Sequence, residues 1–341
     1  MKDDQRITNA ELPHESDEIY LMDGGLETTL IFHDGIDLPH FAAFPLLDET
    51  EGRAALTRYY GRYLDIAKAK GVRFVLETPT WRASPDWAAL VGYDKAALER
   101  VNRDAVQFLR DLAESDAYRD VYSVLSGCVG PRGDGYAVGV EMTLDEARSY
   151  HRPQIAALAK AGVRMVTALT MTYPEEAAGI VLAAREAGIK AVVSFTVETD
   201  GRLPNAMALG EAIRFVDAVT LDAPIYFMVN CAHPEHFDHV LDSDADWITR
   251  IRGIRANASR MSHAELDEAE ELDAGDPAEL GAQYSALRQV LRKVNVMGGC
   301  CGTDWRHLQE IAHHSCADHP EVVPLTAGRQ PLGGCHHGNS F

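Results

Sequence analysis

The chain has 341 residues, and its 52 acidic against 32 basic residues give a formal net charge of −20. A surface this acidic repels phosphate backbones, and no cluster of lysine and arginine offsets it, so we expect no nucleic-acid partner. The sequence contains no run of about 18 apolar residues that could span a membrane. Its polar N-terminus also lacks the apolar core of a secretory signal. These features predict a cytoplasmic protein without a membrane partner, whose six cysteines stay reduced.

Short apolar or β-branched runs alternate with segments of helical periodicity along most of the chain. In chain order, the predicted strands cover residues 19–23, 72–77, 121–127, 163–169, 191–196, 225–231, 251–257 and 294–298. The clearest predicted helices between them cover residues 51–70, 98–115, 144–161, 174–187 and 278–293. This alternation indicates a parallel sheet, because each parallel crossover needs a helix to return the chain.

The predicted strands, with no long linker between them, favour one closed (β/α)8 TIM barrel of the α/β class over a two-domain protein. We therefore assign residues 19–315 to a single barrel domain, residues 1–18 to a polar N-terminal extension and residues 316–341 to a C-terminal tail. Unusual residue pairs, such as Asp-Gly and Cys-Cys, follow predicted strands, and a barrel places its active-site loops at those strand ends.

Three cysteines follow predicted strands in this way. Cys231 ends the sixth strand, and Cys300 and Cys301 follow the eighth, among the glycines at positions 298, 299 and 302. A lone cysteine at such a place is usually a small buried apolar residue, and we interpret Cys128 as a small residue of a barrel-mouth loop. The three others can converge on one face of a barrel, where soft thiolates favour zinc. Three protein thiolates with a fourth position open are typical of a catalytic zinc site.

Such a site suits the chemistry of an incoming thiol. A free thiol has a pKa near ~8.5, and metal binding removes its proton while the electron-rich cluster keeps the sulfur nucleophilic. Alkyl transfer to sulfur is therefore favoured, and it requires no protein base. Two alternatives remain open at this point. One is a zinc hydrolase, although such enzymes normally use histidine and carboxylate ligands. The other is a metal-binding or redox-sensing protein that uses Cys300 and Cys301.

The sequence resembles the homocysteine S-methyltransferase family from about residue 19 to residue 315. The motifs that carry the resemblance appear in order: Met22-Asp23-Gly24-Gly25, Glu77-Thr78-Pro79-Thr80, Gly127-Cys128-Val129-Gly130-Pro131, Ser194-Phe195-Thr196, Val229-Asn230-Cys231 and Gly299-Cys300-Cys301-Gly302-Thr303. The resemblance implies a (β/α)8 barrel, a Zn2+ ion held by Cys231, Cys300 and Cys301, and methyl transfer from a small onium donor to homocysteine or a related thiol, giving methionine. S-methylmethionine or S-adenosylmethionine is the favoured donor, since the chain shows no cobalamin- or folate-binding module.

The resemblance also implies where the amino-acid end of homocysteine binds. Asp23, Gly24 and Thr78 match positions that hold it, and we assign Gly25 to the same substrate-binding group. A glycine backbone N–H and a hydroxyl can bind a carboxylate, and an aspartate can face an ammonium. Glu77 is expected either to meet the ammonium or to pair with a barrel neighbour. Asn230 is expected chiefly to orient a loop by hydrogen bonds.

Two departures from the family's pattern concern the acceptor. Leu169 stands where the family usually has a glutamate that binds the homocysteine amino group, so either Glu77 replaces that carboxylate or the acceptor is a related thiol. After the seventh strand, Arg255-Ala256-Asn257-Ala258-Ser259 replaces a Pro-Asn-Ser-Gly-like turn. Four aromatic residues could cradle a cationic donor or belong to the core: Trp81, Trp87, Tyr136 and Tyr173.

Overall fold

The computed structural model describes residues 10–269 and 271–316, and these residues form a closed barrel of parallel strands. The strands are β1 (Tyr20–Leu21), β2 (Arg73–Glu77), β3 (Ser123–Val129), β4 (Met165–Met171), β5 (Lys190–Phe195), β6 (Pro224–Asn230), β7 (Ile251–Ala256) and β8 (Val296–Gly299). Each strand pairs with its neighbours in sequence, and β8 closes the barrel by pairing with β1. The predicted (β/α)8 barrel is confirmed.

The α-helices lie outside the barrel or at its mouth. They are α1 (Leu26–Thr28), α2 (Thr50–Lys70), α3 (Pro85–Leu90), α4 (Lys95–Ala113), α5 (Leu144–Lys160), α6 (Pro174–Glu186), α7 (Leu209–Thr220), α8 (Pro234–Phe237), α9 (His263–Glu268), α10 (Pro277–Val290) and α11 (Trp305–Cys316). Short 3-10 segments occur at Pro13–Glu15, Pro39–Phe41, Phe44–Asp48, Asp238–Val240 and Asp246–Arg250, and a π-helical turn at Thr29–His33. Within the described residues, no helix is both long and apolar enough to cross a membrane.

Local signals in the sequence account for several helix ends. Helix α2 ends at Gly71, whose left-handed backbone (φ 65°) lets the chain turn into β2. Helix α5 begins at a capping box in which the Thr143 hydroxyl accepts a hydrogen bond from the backbone N–H of Glu146. One local expectation was wrong: Cys128 lies inside β3, fully within the barrel wall, rather than in a loop.

The N-terminal segment closes the end of the barrel opposite the strand carboxyl ends. Leu12 is fully buried and packs with residues from the first half of the strands: Tyr20, Val75, Val124, Met165, Val192, Tyr226 and Val296. The Asn295 side-chain amide donates to the carbonyls of Pro13, Ser16 and Glu18 at 2.9–3.0 Å. Residues 10–18 therefore form a plug at this end of the barrel, although Asp17 and Glu18 stay exposed. The domain boundary at residue 19 stays a prediction, and the predicted tail beyond residue 316 lies outside the described residues.

Candidate active site

A cavity of about 190 Å³ lies at the carboxyl ends of the strands and contains the predicted cysteine cluster. Its wall is contributed by the segments after β1, β2, β3, β6, β7 and β8 and by the ends of β2, β3, β4 and β7, so residues far apart in sequence meet there. Cys231, Cys300 and Cys301 all line it. This is the end of the barrel at which (β/α)8 enzymes place their active sites.

The three cysteine sulfurs lie within 4.8 Å of one another, and the sulfurs of Cys231 and Cys301 are 3.5 Å apart. Sulfur ligands of a tetrahedral zinc ion, each ~2.3 Å from the metal, lie about 3.8 Å apart. The spacing therefore fits a single ion held by three thiolates. Within the described part of the chain, no histidine or carboxylate joins this group. That set of donors is unlike the ligands that zinc hydrolases normally use.

Glycines and backbone hydrogen bonds hold the cysteines at the barrel mouth. Cys231 has a left-handed backbone (φ 55°) directly after β6, which turns its sulfur towards the others. The Cys300 N–H donates to Ala256 O at 2.8 Å, so the Cys-Cys turn is anchored on β7. A Cβ on Gly25 would lie 2.6 Å from the Cys300 carbonyl oxygen, so only glycine allows this approach of the β1 loop.

Hydrogen bonding among the sulfurs makes them unequal in acidity. The thiols of Cys231 and Cys301 can donate to Cys300, and these hydrogen bonds lower the pKa of Cys300 well below its usual range. Donation to Cys300 raises the pKa of the Cys231 thiol. The side-chain amide of Asn230 is 3.8 Å from the Cys300 sulfur and adds to its stabilisation as a thiolate. The site thus favours at least one thiolate, the form in which cysteine binds metals.

Tyr136, on the loop after β3, covers the cysteine cluster. Its hydroxyl lies 3.2 Å from the Cys301 sulfur and 3.5 Å from the Cys231 sulfur. Its ring stacks on His263 with the centroids 4.4 Å apart, and His263 Nε2 lies 2.8 Å from the Cys231 carbonyl oxygen. Tyr136 was predicted only as one of several aromatic residues for a donor. The structure places it directly against two of the sulfurs.

Arg255 dominates the charge at the floor of the cavity. Its guanidinium donates to Asp23 Oδ1 at 2.8 Å and to Glu77 Oε2, and both carboxylates are almost fully buried. It also donates to the carbonyls of Gly24 and Gly299. Of the two roles expected for Glu77, the ion pair with a barrel neighbour is the one that the structure contains. Asp23 has the same cationic partner.

The other predicted substrate-binding residues differ in their access to the cavity. Gly24, Gly25 and Thr78 line it, together with Asp23 and Glu77. The Thr78 hydroxyl accepts a hydrogen bond from the Cys128 N–H at 2.9 Å. Asn230 is fully buried, and its amide bonds the Thr170 backbone N–H, the Thr170 hydroxyl and the Ser194 hydroxyl. It therefore orients the ends of β4, β5 and β6.

Leu169 lines the cavity. It stands where the family usually has the glutamate that binds the homocysteine amino group. An apolar side chain there offers no hydrogen bond to an amino group. Glu27 and Arg82 are among the charged residues that line the cavity and were not predicted. Nothing in their spacing distinguished them from surface charges, because a single charged residue in a loop carries no periodic signal.

Glu27 lies in α1, directly after the predicted Asp-Gly-Gly turn, and is partly buried. In the described structure its carboxylate has no hydrogen bond or ion pair with the side chain of another residue, unlike Asp23 and Glu77. Burial, followed by the nearby Cys300 and Asp23, raises the pKa of Glu27 to about 7. A hydrogen bond from its own backbone N–H and the nearby Arg255 oppose this rise in pKa only in part.

Arg82, on the loop after β2, is packed between two tryptophans. Its guanidinium carbon lies 4.4 Å from the Trp81 ring centroid and 3.5 Å from that of Trp87. Its Nε has no hydrogen-bond partner among the described residues, and Asp134 is 3.9 Å from its nearest nitrogen. Of the four aromatic residues predicted to cradle a donor, Trp81 and Tyr136 line the cavity. Trp87 and Tyr173 do not line it.

The fold and the site together define a barrel with a three-cysteine cluster that could hold a metal ion. The family model for homocysteine S-methyltransferases matches residues 20–315, so the chain belongs to the homocysteine S-methyltransferase family and is a methyltransferase. A search of curated proteins found no match.

Solved structures of the homocysteine methyltransferase MmuM from Escherichia coli have the same fold. The oxidised form aligns with a TM-score of 0.68 at 18% identity, over 89% of this chain and 99% of that one. The metallated form aligns with a TM-score of 0.65 at 18% identity, over 87% of this chain and 96% of that one. At this level of identity the likeness concerns the fold.

Proposed function

We propose that this protein transfers a methyl group from a small sulfonium donor to the thiolate of homocysteine, giving methionine, at a zinc ion held by Cys231, Cys300 and Cys301. The observation that carries the proposal is the convergence of these three sulfurs within 4.8 Å at the wall of a cavity. Membership of the homocysteine S-methyltransferase family supports the acceptor, and the description of one fold relative as metallated supports a metal.

The donor set suits zinc, since soft thiolates favour it and three of them leave a fourth position free. Held by Cys231, Cys300 and Cys301, zinc would lower the pKa of an incoming thiol, so that its proton passes to solvent and the thiolate is available as a nucleophile. The acceptor sulfur then forms a bond to the methyl carbon while the donor's sulfur–methyl bond breaks. The electron pair of that bond returns to the donor sulfur, which leaves as a neutral thioether.

The protein's own contribution is to position the reactants. The Asn230 hydrogen bonds fix three strand ends around the cysteines, and the enclosed cavity aligns two small molecules that meet rarely in solution. The predicted contacts of Gly24, Gly25 and Thr78 with the acceptor carboxylate are part of the proposal, since all three line the cavity. A cytoplasmic location also stays a prediction.

Arg82 supports a donor that carries a carboxylate. It is a buried cation whose Nε has no partner among the described residues, and it lines the same cavity as the cysteines. Guanidinium groups bind carboxylates with two parallel hydrogen bonds. S-methylmethionine and S-adenosylmethionine both combine a sulfonium with an amino-acid carboxylate, so they fit better than a simple trialkylsulfonium.

The test is a methyl-transfer assay that pairs homocysteine with S-methylmethionine, S-adenosylmethionine or betaine and measures methionine by mass spectrometry. Wild type is expected to contain one zinc per chain and to use a sulfonium donor. Cys301→Ser should lose the metal and the activity, because an alcohol is a far weaker zinc ligand than a thiolate. Glu51→Gln, at an exposed residue of α2 outside the cavity, is the control and should retain both. Full activity in Cys301→Ser would overturn the proposal.

A further inference from the structure

The cavity holds several carboxylates, and they differ in whether the protein already neutralises them. Arg255 binds both Asp23 and Glu77. Asp134 and Asp267 line the outer part and are exposed to solvent. Glu27 is partly buried, lines the cavity beside the cysteines and has no cationic partner within the described structure. Its carboxylate is therefore the one whose charge remains to be compensated by a ligand.

The negative charge of the proposed metal site favours the binding of a cation near Glu27. Zinc with three thiolates carries a net charge of about −1, and a fourth thiolate brings it to about −2. Glu27 and Cys300 line the same cavity, so the negative charge of the cysteine cluster acts on the Glu27 carboxylate. An acceptor that brings its own ammonium to this place reduces the repulsion between the thiolates and Glu27.

Resting on the proposed function, we propose that Glu27 binds the ammonium group of the amino-acid acceptor, in place of Asp23 and Glu77, which Arg255 occupies. Leu169 cannot make this contact, because its side chain has no polar atom. To bind Asp23 or Glu77, the ammonium would have to displace the Arg255 guanidinium. That guanidinium donates to both carboxylates and to two backbone carbonyls. Glu27 offers the same charge without that displacement. The assignment makes Glu27 a determinant of specificity for thiols that carry an amino group.

The test compares two thiols that differ only in the amino group. Homocysteine and 4-mercaptobutanoate, which is homocysteine without its amino group, are titrated by calorimetry into zinc-loaded wild type, Glu27→Gln and Glu51→Gln. Glutamine keeps the shape of Glu27 but not its charge. Glu51 is an exposed carboxylate on α2, outside the cavity, and serves as the matched control.

Glu27→Gln is expected to weaken homocysteine binding about 10- to 100-fold, as for the loss of a charged hydrogen bond. Its affinity for 4-mercaptobutanoate should equal or exceed that of wild type, because the repulsion between Glu27 and the thiolates is removed. Its zinc content should equal that of wild type, and Glu51→Gln should match wild type with both thiols. Equal weakening of both thiols, no weakening of either, or loss of zinc in Glu27→Gln would each overturn the assignment while leaving the proposed function intact. If wild type binds neither thiol, the proposed function and this assignment both fail.

Discussion

At the residue scale, the main unexpected feature is the buried arginine at the end of β7. The sequence shows that residues 255–259 depart from the family's usual turn after the seventh strand. It does not show which residues Arg255 pairs with, because a charged residue in a strand gives no indication of its partners. The structure shows the guanidinium between two carboxylates, one from the turn after β1 and one from the end of β2. Asp23 and Glu77 could be predicted as members of the site from their motifs. That they are already paired could be learned only from the assembled barrel.

Replacement of Arg255 by methionine is expected to destabilise the protein strongly. It leaves two buried carboxylates without a cation, and breaking a buried ion pair from one side costs about 3–5 kcal/mol. Burial raises the pKa of both Asp23 and Glu77, and Arg255 opposes that effect. Without Arg255, both pKa values rise further above their unfolded values. The loss should therefore be smaller near pH 5, where these groups can protonate, and should grow as the pH rises to 8.

The measurement is urea unfolding of wild type and Arg255→Met at both pH values. Arg260→Met is the matched control, since Arg260 also bonds two carboxylates, those of Glu235 and Glu279, but is exposed. Exposed ion pairs contribute about 0–1 kcal/mol, so the control should stay close to wild type. A deficit in Arg255→Met that is no larger than the control's, or that is independent of pH, would contradict this account.

At the scale of elements, the strands could be predicted well and the loops could not. In the described part of the chain, each of the eight strands overlaps a predicted strand, because buried parallel strands are continuous apolar segments. The cysteine cluster followed from the strand ends, since the barrel brings them to one face. The loops after β1, β2 and β3, which carry Glu27, Arg82 and Tyr136, have no periodic pattern. Their positions depend on packing between loops that are distant in sequence.

The loop after β3 is expected to act as a cover over the cysteines. Gly130 and Gly135 pack against Trp81 of the β2 loop so closely that a Cβ would lie 2.4 Å from its carbonyl oxygen and 3.1 Å from its ring, respectively. This contact places Tyr136 over the sulfurs. Tyr136→Ala should therefore increase the rate at which iodoacetamide alkylates the three-cysteine cluster in metal-free protein by several-fold, as the sulfurs become more exposed. Tyr136→Phe, which retains the ring, should change the rate much less, and identical rates in all three proteins would show that the loop provides no cover.

At the scale of the whole molecule, the two ends of the barrel have separate tasks. The carboxyl end carries the cavity and the charged groups, whereas the amino end is filled by apolar side chains and by residues 10–18. The polar composition of residues 1–18 did not predict that residues 10–18 close the amino end of the barrel. Of the described residues in this segment, only Ala10 and Leu12 belong to the apolar cluster. The separation allows stability to be changed at one end without altering the chemistry at the other.

Leu12→Ala provides the test of that separation. Leu12 is fully buried in the barrel interior, and truncation of such a leucine to alanine costs about 2–5 kcal/mol through lost burial and the cavity left behind. Leu90→Ala, on the exposed face of α3, is the matched control and should change the free energy of unfolding by less than about 0.5 kcal/mol. Urea unfolding measures both effects. Zinc content and homocysteine affinity should remain those of wild type in Leu12→Ala under folding conditions, because no residue of its cluster holds the metal. A loss of zinc that accompanies a small loss of stability would instead show that the plug and the cysteine site are coupled through the strands.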